Sequence, residues 1–368
     1  MTASPRSSRR RRPVAEQMSP RERVLAAIER RPVDRVPTDI WATGEVWAKL
    51  RAHFGEGANI AELLHIDGFA GVGPKYIGPP LPAAPEGGTV DMWGMRSKPM
   101  AYDGGVYAEQ SFNPLAAAET IDDLEAYRWP SADWFDYSEM RPAALERRKT
   151  HAVMCGYMAP FYQHNLLRGL ERSLMDPLLK PDFTHHLLGR MCDFIFEHHR
   201  RIFEACDGLI DVAQVTDDLG SQHGPLISLA VYREFYRPHH ARFIALCRDH
   251  GIKVFHHDDG SCRTFLPDLV ELGIDILNPV QWTCPGMDMA ELKREYGGRL
   301  CFHGGVENQR ILPFGTPDEV RAEVRHCIDA LASDGTGYIL APCHNLQPVS
   351  PVDNILAMYD EAWRYGQR

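Results

Sequence analysis

The chain has 368 residues, 44% hydrophobic and 24% charged, an ordinary globular composition with ample length to bury a large core. Five arginines fall in the first 12 residues with no acids among them; taking them from the net charge of −10 leaves −15 on the remainder, which excludes a nucleic-acid-binding body. No run of about 18 apolar residues exists to span a membrane, and nine scattered cysteines without a Cys-x-x-Cys pair read as thiols of a reducing, cytoplasmic compartment rather than a disulfide framework.

Residues 1–17 read as a disordered Arg-rich tail. Its run at 6–12 lacks the apolar region of a secretory signal, and Met18 is an alternative start. A weak nucleic-acid or membrane tether is the functional alternative for this tail. From residue 18 to 368 the pattern is that of one domain. Ser19-Pro20-Arg21-Glu22 predicts a helix to about Arg30, with Ser19 as N-cap, Pro20 at N1 and Glu22 closing a capping box. Strands are predicted at Val36–Trp41, Gly68–Gly73, Ala152–Gly156, Leu209–Val215, Lys253–His256, Ile274–Pro279, Leu300–His303 and Tyr338–Ala341. Helical periodicity fits between most of them, as at Val231–His250 and Thr316–Ala332, the latter opening Thr-Pro-Asp-Glu. Eight strands alternating with helices predict an α/β protein whose parallel sheet closes into a (β/α)8 barrel; a doubly wound open sheet shares the local pattern. Residues 74–138 break the rhythm. Asp91–Met100 and Val106–Phe112 read as a β-hairpin around Tyr-Asp-Gly-Gly (102–105), inserted after the second strand and expected over the mouth.

In such a barrel, chemistry gathers at the C-terminal ends of the strands. Five consecutive strand ends carry polar groups: Asp217, Asp218 and Gln222; His257 and Asp259; Gln281; Glu307; and His344. His257, Asp259 and His344 supply two imidazoles and a carboxylate, suited to Zn2+ or another divalent ion with an open position; the same groups could also bind substrate without metal. Asp217 or Asp218 is the expected catalytic base, or else a helix cap with a first-turn acid. Gln222, Gln281 and Glu307 are expected to line a small-molecule pocket. His256 and Asp258 should face away from the mouth, His239 and His240 should be packing or surface residues, and Cys343 is either a thiolate ligand or a bystander.

The segments Arg31-Pro-Val-Asp-Arg-Val-Pro37, His257-Asp-Asp-Gly-Ser261, Gly273-Ile-Asp-Ile-Leu-Asn-Pro-Val-Gln281, Gly304-Gly305, Leu312-Pro-Phe-Gly-Thr-Pro317 and Ala341-Pro-Cys-His-Asn345 together resemble the uroporphyrinogen decarboxylase-like superfamily. That group includes uroporphyrinogen decarboxylase and cobamide-dependent methyltransferases. The resemblance runs from about residue 19 to 365 and implies a TIM barrel, in agreement with the strand count. The decarboxylase pattern carries Met-Arg-Gln-Ala-Gly-Arg after the first strand, where this chain has Trp41-Ala-Thr-Gly-Glu-Val-Trp47. Its second-strand Ser-Asp-Ile is replaced by Ala70-Gly71-Val72, and its tyrosine is missing at Asn165 and Leu166. Without those arginines the carboxylates of a porphyrin would be left unpaired.

The methyltransferase branch resembles His-x-Cys-Gly with a second cysteine near the end, holding zinc; here stand His257-Asp258-Asp259-Gly260 and His344. The resemblance therefore implies a metal-dependent methyltransferase or demethylase acting on a small substrate, with methyl-corrinoid as co-substrate and a corrinoid protein as partner. The alternatives are a metal-free decarboxylase of a porphyrin or small carboxylate, and a non-catalytic corrinoid- or tetrapyrrole-binding protein. A homodimer is compatible with this reading.

Overall fold

The computed structural model describes residues 16–84, 87–102 and 105–368. Most of the 1–17 tail and the centre of the Tyr-Asp-Gly-Gly turn, Asp103 and Gly104, thus lie outside the described residues. Glu16 and Gln17 are not loose: Glu16 meets Arg35 at 2.9 Å, and the Gln17 N–H donates to Asp34.

In chain order the strands are β1 (Phe69–Gly71), β2 (Lys75–Tyr76), β3 (Thr89–Val90), β4 (Arg96–Tyr102), β5 (Gly105–Phe112), β6 (Phe135–Asp136), β7 (Ala152–Met158), β8 (Val212–Val215), β9 (Lys253–His257), β10 (Ile276–Asn278), β11 (Cys301–Val306) and β12 (Tyr338–Pro342). Seven of them form one curled parallel sheet in the order β1-β7-β8-β9-β10-β11-β12. Helices follow successive strands, among them Pro181–Cys206, Arg237–Asp249, Leu266–Leu272, Met289–Tyr296, Pro317–Leu331 and Val352–Tyr365. This is the βα alternation read from the sequence.

The first predicted strand, Val36–Trp41, makes isolated parallel bridges instead of a regular ladder, Thr38 with Leu340 and Ala42 with Leu346. Pro37 has no N–H to give a ladder. The segment is nevertheless bonded on both sides: Asp39 N–H donates to Leu340 O, and Gly68 N–H donates to Thr38 O.

The first helix, α1 (Pro20–Ile28), has the predicted capping box from Ser19 and Glu22. Its Val24, Ala27 and Ile28 pack on Ala152, Val212, Phe255, Ile276, Cys301 and Ile339, most of them the first or second residues of their strands. The helix therefore closes the N-terminal end of the sheet, leaving only the C-terminal end open. A buried ionic network anchors it there. Arg23 pairs with Asp34 at 2.6 Å and with Asp67 at 2.5 Å; Arg35 also pairs with Asp67, at 2.7 Å. The Asp34 and Arg35 of the Arg-Pro-Val-Asp-Arg-Val-Pro segment thus belong to this scaffold.

The insertion carries a three-stranded antiparallel sheet, β3-β4-β5. Its hairpin runs Arg96–Tyr102 against Gly105–Phe112, starting later than predicted because Asp91 closes a turn on the N–H groups of Trp93 and Met95. No helix among the described residues is long and apolar enough to cross a membrane.

Asp67→Asn should cost about 3–5 kcal/mol in urea unfolding, because two buried guanidinium groups lose the carboxylate they share and keep only Asp34 and Glu16. A loss below about 1 kcal/mol would show that the network does not anchor α1.

Candidate functional site

The loops after β8 and β9 are pinned together before any functional group is placed. Asp258, fully buried, accepts hydrogen bonds from the N–H groups of Leu219 and Gly220 at 3.0 and 2.9 Å, while Ser261 N–H donates to Ser221 O. Gly260 lies at φ 81°, and a Cβ there would come within 2.5 Å of the Ser221 backbone, so this approach requires glycine. His256 also faces away from the mouth, its Nδ1–H donating to Val215 O.

Fixed this way, β9 ends with His257 directed into the mouth and Asp259 one turn of chain beyond. Asp259 Oδ2 lies 3.8 Å from His257 Nε2 and 3.5 Å from His344 Nε2, the latter supplied from beyond β12. One ligand atom from each of the three residues lies within 4.8 Å of the others. Ligand bonds of about 2.0–2.2 Å place tetrahedral ligand atoms about 3.4 Å apart, so a modest contraction would seat a divalent ion. Burial raises the Asp259 carboxyl above its ordinary pKa, opposed by the His257 and His344 imidazoles.

The two candidate bases separate sharply. Asp217 is buried and accepts from the N–H groups of Phe161 and Tyr162 at 3.0 and 2.8 Å, at the start of helix Pro160–Arg168, with His240 Nε2 at 2.9 Å. Its acceptor capacity is spent on a helix terminus, and burial raises its pKa against the effect of His240. The catalytic expectation for Asp217 is therefore corrected to a structural position, and His240 is its packing partner. Asp218 faces the mouth: its Oδ1 is 3.6 Å from His257 Nε2 and accepts from Asp259 N–H.

Beside this cluster is a cavity of about 390 Å3 lined by Gln222, Gln281, Asn308, Gln309, Asn345 and Gln347 together with Asp259 and His344; among the described residues no lysine or arginine lines it. Gln281 also accepts from Gly260 N–H. Glu307 does not line it. That side chain is buried and accepts from the N–H groups of Gln309, Arg310 and Ile311 at 2.7–2.9 Å, tying down the turn that follows β11. Cys343 forms part of the wall, but burial pushes its thiol above the ordinary range. The hairpin reaches the rim, where Tyr102 Oη donates to Gln347.

Sequence reasoning missed Tyr157 and Tyr162, whose phenols are raised by burial and by the carboxylate of Asp218, among others. It also missed Asn278, which meets His257 Nδ1 at 2.6 Å. Strand parity was the available signal for Asn278, since it pairs in register with His257.

Asp218→Ala should unfold within about 1 kcal/mol of wild type yet lose activity, whereas Asp217→Ala should lose about 3 kcal/mol or more in urea unfolding. Equal stability of the two variants would overturn the separation. A second outcome concerns pH. His199 accepts from Tyr157 N–H and makes its other bond to Ile195 O, and burial lowers its pKa to about 4. The unfolded chain takes up this proton first, so the contribution is complete above about pH 6.5 and is lost toward pH 4 at about 1.4 kcal/mol per unit. Urea midpoints across that window should flatten in His199→Gln.

A family model described as uroporphyrinogen decarboxylase (URO-D) matches residues 118–365. A uroporphyrinogen decarboxylase of Xanthomonas euvesicatoria pv. vesicatoria is 28% identical over 178 residues, 46% of each chain. A methylated-thiol–coenzyme M methyltransferase of Methanosarcina mazei is 25% identical over 203 residues, covering 54% of this chain and 49% of that one. The chain spans about half the length of the curated relatives it matches. Among solved structures, a methyltransferase from Methanosarcina mazei superposes with a TM-score of 0.67 at 18% identity, over 94% of this chain and 98% of the other. The fold, the order of its motifs and the family match agree: this chain belongs to the uroporphyrinogen decarboxylase family.

Proposed function

We propose that this chain is a metal-dependent, corrinoid-linked methyltransferase or demethylase acting on a small molecule, within a closed eight-stranded barrel. The bonds that flank residues 36–42 support closure, because they join β12 to the residues leading into β1. The observation that carries the reaction is the convergence of His257, Asp259 and His344 on one point beside an amide-lined cavity. Two nitrogens and one oxygen accept zinc and also admit iron or manganese. When bound, the ion supplies Lewis acidity that lowers the pKa of an acceptor such as a thiol.

The chain's own groups do the remaining work. Asp218, partly exposed beside His257, accepts the proton of the incoming acceptor or orients it. Gln222 and Gln281 hold the substrate by neutral hydrogen bonds, and the β4–β5 hairpin restricts water at the rim. A corrinoid protein would bring the methyl group. The nine buried, unpaired cysteines fit a cytoplasmic setting. Decarboxylation of uroporphyrinogen is disfavoured, since among the described residues no lysine or arginine lines the cavity to meet its carboxylates.

Metal content by inductively coupled plasma mass spectrometry, with methylcobalamin-to-thiol transfer, tests the reading. Wild type should hold near-stoichiometric transition metal, and His257→Ala and His344→Ala should lose it together with at least about 100-fold of the transfer rate. Absence of metal after reloading, or chelator-insensitive release of carbon dioxide from uroporphyrinogen, overturns it.

A further inference from the structure

Inside the sheet, below the open mouth, runs an unbroken line of polar side chains from four different segments. Asp39 Oδ2 lies 3.0 Å from His303 Nε2; His303 Nδ1 lies 2.6 Å from Asn278 Nδ2; and Asn278 Oδ1 lies 2.6 Å from His257 Nδ1. Asp39, Asn278 and His303 are all buried. Trp41 packs against both imidazoles, with ring centroids 5.4 Å from His257 and 5.9 Å from His303, and Phe255 lies 5.3 Å from His303. Buried polar groups in such surroundings must satisfy one another.

The direction of every bond follows from one end. The Asp39 carboxylate already accepts from Ile40 N–H and from the Trp41 indole N–H. As an acceptor, it takes the proton that His303 carries on Nε2. His303 Nδ1 lies against the amide NH2 of Asn278, a donor, and is therefore an acceptor. That turns the Asn278 oxygen toward His257, which must carry its proton on Nδ1. The remaining lone pair of His257 is on Nε2, the atom facing Asp259 and Asp218. The orientation of the asparagine amide, NH2 toward His303 and oxygen toward His257, agrees with the acceptor role of Asp39 at the other end.

We propose that Asp39, His303 and Asn278 are positioning residues that hold His257 in its Nδ1-protonated tautomer, so that Nε2 is presented as a ligand atom at the mouth. That the ligand is a metal ion rests on the function proposed above; the tautomer itself does not. The reversed chain, with the His257 proton on Nε2, would remove the lone pair on which coordination depends.

The test separates the two layers. Metal-free protein labelled with 15N-histidine is observed at about pH 8, above the ordinary imidazole range, by long-range proton–nitrogen correlation. The His257 signals are identified by their loss in His257→Ala. Wild type should show the proton on Nδ1. Asn278→Leu should move it largely to Nε2, and Asn278→Asp, which keeps an acceptor toward His257, should restore Nδ1. His303→Phe, which touches neither the mouth nor the cluster, should release Asn278 and give a mixture.

Zinc titration against a competing chelator should then show binding weakened about 10- to 100-fold in Asn278→Leu and recovered in Asn278→Asp. A wild-type His257 protonated on Nε2, or one unmoved by Asn278→Leu, overturns the positioning chain. The expected tautomers without zinc binding in any variant would leave the chain standing and sink the metal reading.

Discussion

Parallel register is the constraint from which the site follows. Asn278 lies opposite His257, and Ile276 opposite Cys301, so that two residues further on Asn278 and His303 occupy the same level of the sheet. Side chains alternate across a strand; one residue of slip on β9 would turn His257 outward and bring His256 and Asp258 into the mouth. The apolar layer beneath, with Phe255, Ile276, Cys301 and Ile339 against α1, fixes that parity, because a slip would expose it. Packing at the closed end therefore determines which polar groups meet at the open one.

Much of this was legible in the sequence because it is local. The capping boxes at Ser19 and Thr316 depend on residues three apart, and the structure contains both. Seven of the eight predicted strands form the sheet, and the eighth fails as a ladder at Pro37, a breaker visible in the sequence itself. The convergence of His257, Asp259 and His344 was legible because strand ends in a parallel sheet share one edge. What was not legible depends on long-range partners. Asp217 and Asp218 are chemically identical neighbours, and only the arrival of helix Pro160–Arg168 and His240 distinguishes them. Glu307 looked like a pocket residue until its three backbone donors were placed.

Four carboxylates also show how burial assigns roles. Asp217 and Asp258 are removed from water and surrounded by N–H donors, so they stiffen loops. Asp218 and Asp259 retain access to the mouth and meet imidazoles at 3.5–3.8 Å, distances that leave room for something between them. The structural acids each accept two backbone N–H groups, Asp258 through Oδ1 alone, whereas Asp218 accepts one and Asp259 none among the described residues.

Family and reaction are recorded in different parts of the chain. The Arg-Pro-Val-Asp-Arg-Val-Pro segment, part of the resemblance, supplies Asp34 and Arg35 to the network that anchors α1 at the closed end. Such a network is indifferent to what is bound at the mouth, so one scaffold can serve both decarboxylases and methyltransferases. A few side chains at the strand ends, among them Asp218, His257, Asp259 and His344, meet at the mouth instead. Trp41 is informative in this respect. Its indole N–H donates to Asp39 and its ring packs on His257, so the segment after the first strand supports the candidate ligand. A change at that one segment alters both what the mouth can neutralise and how its central imidazole is held.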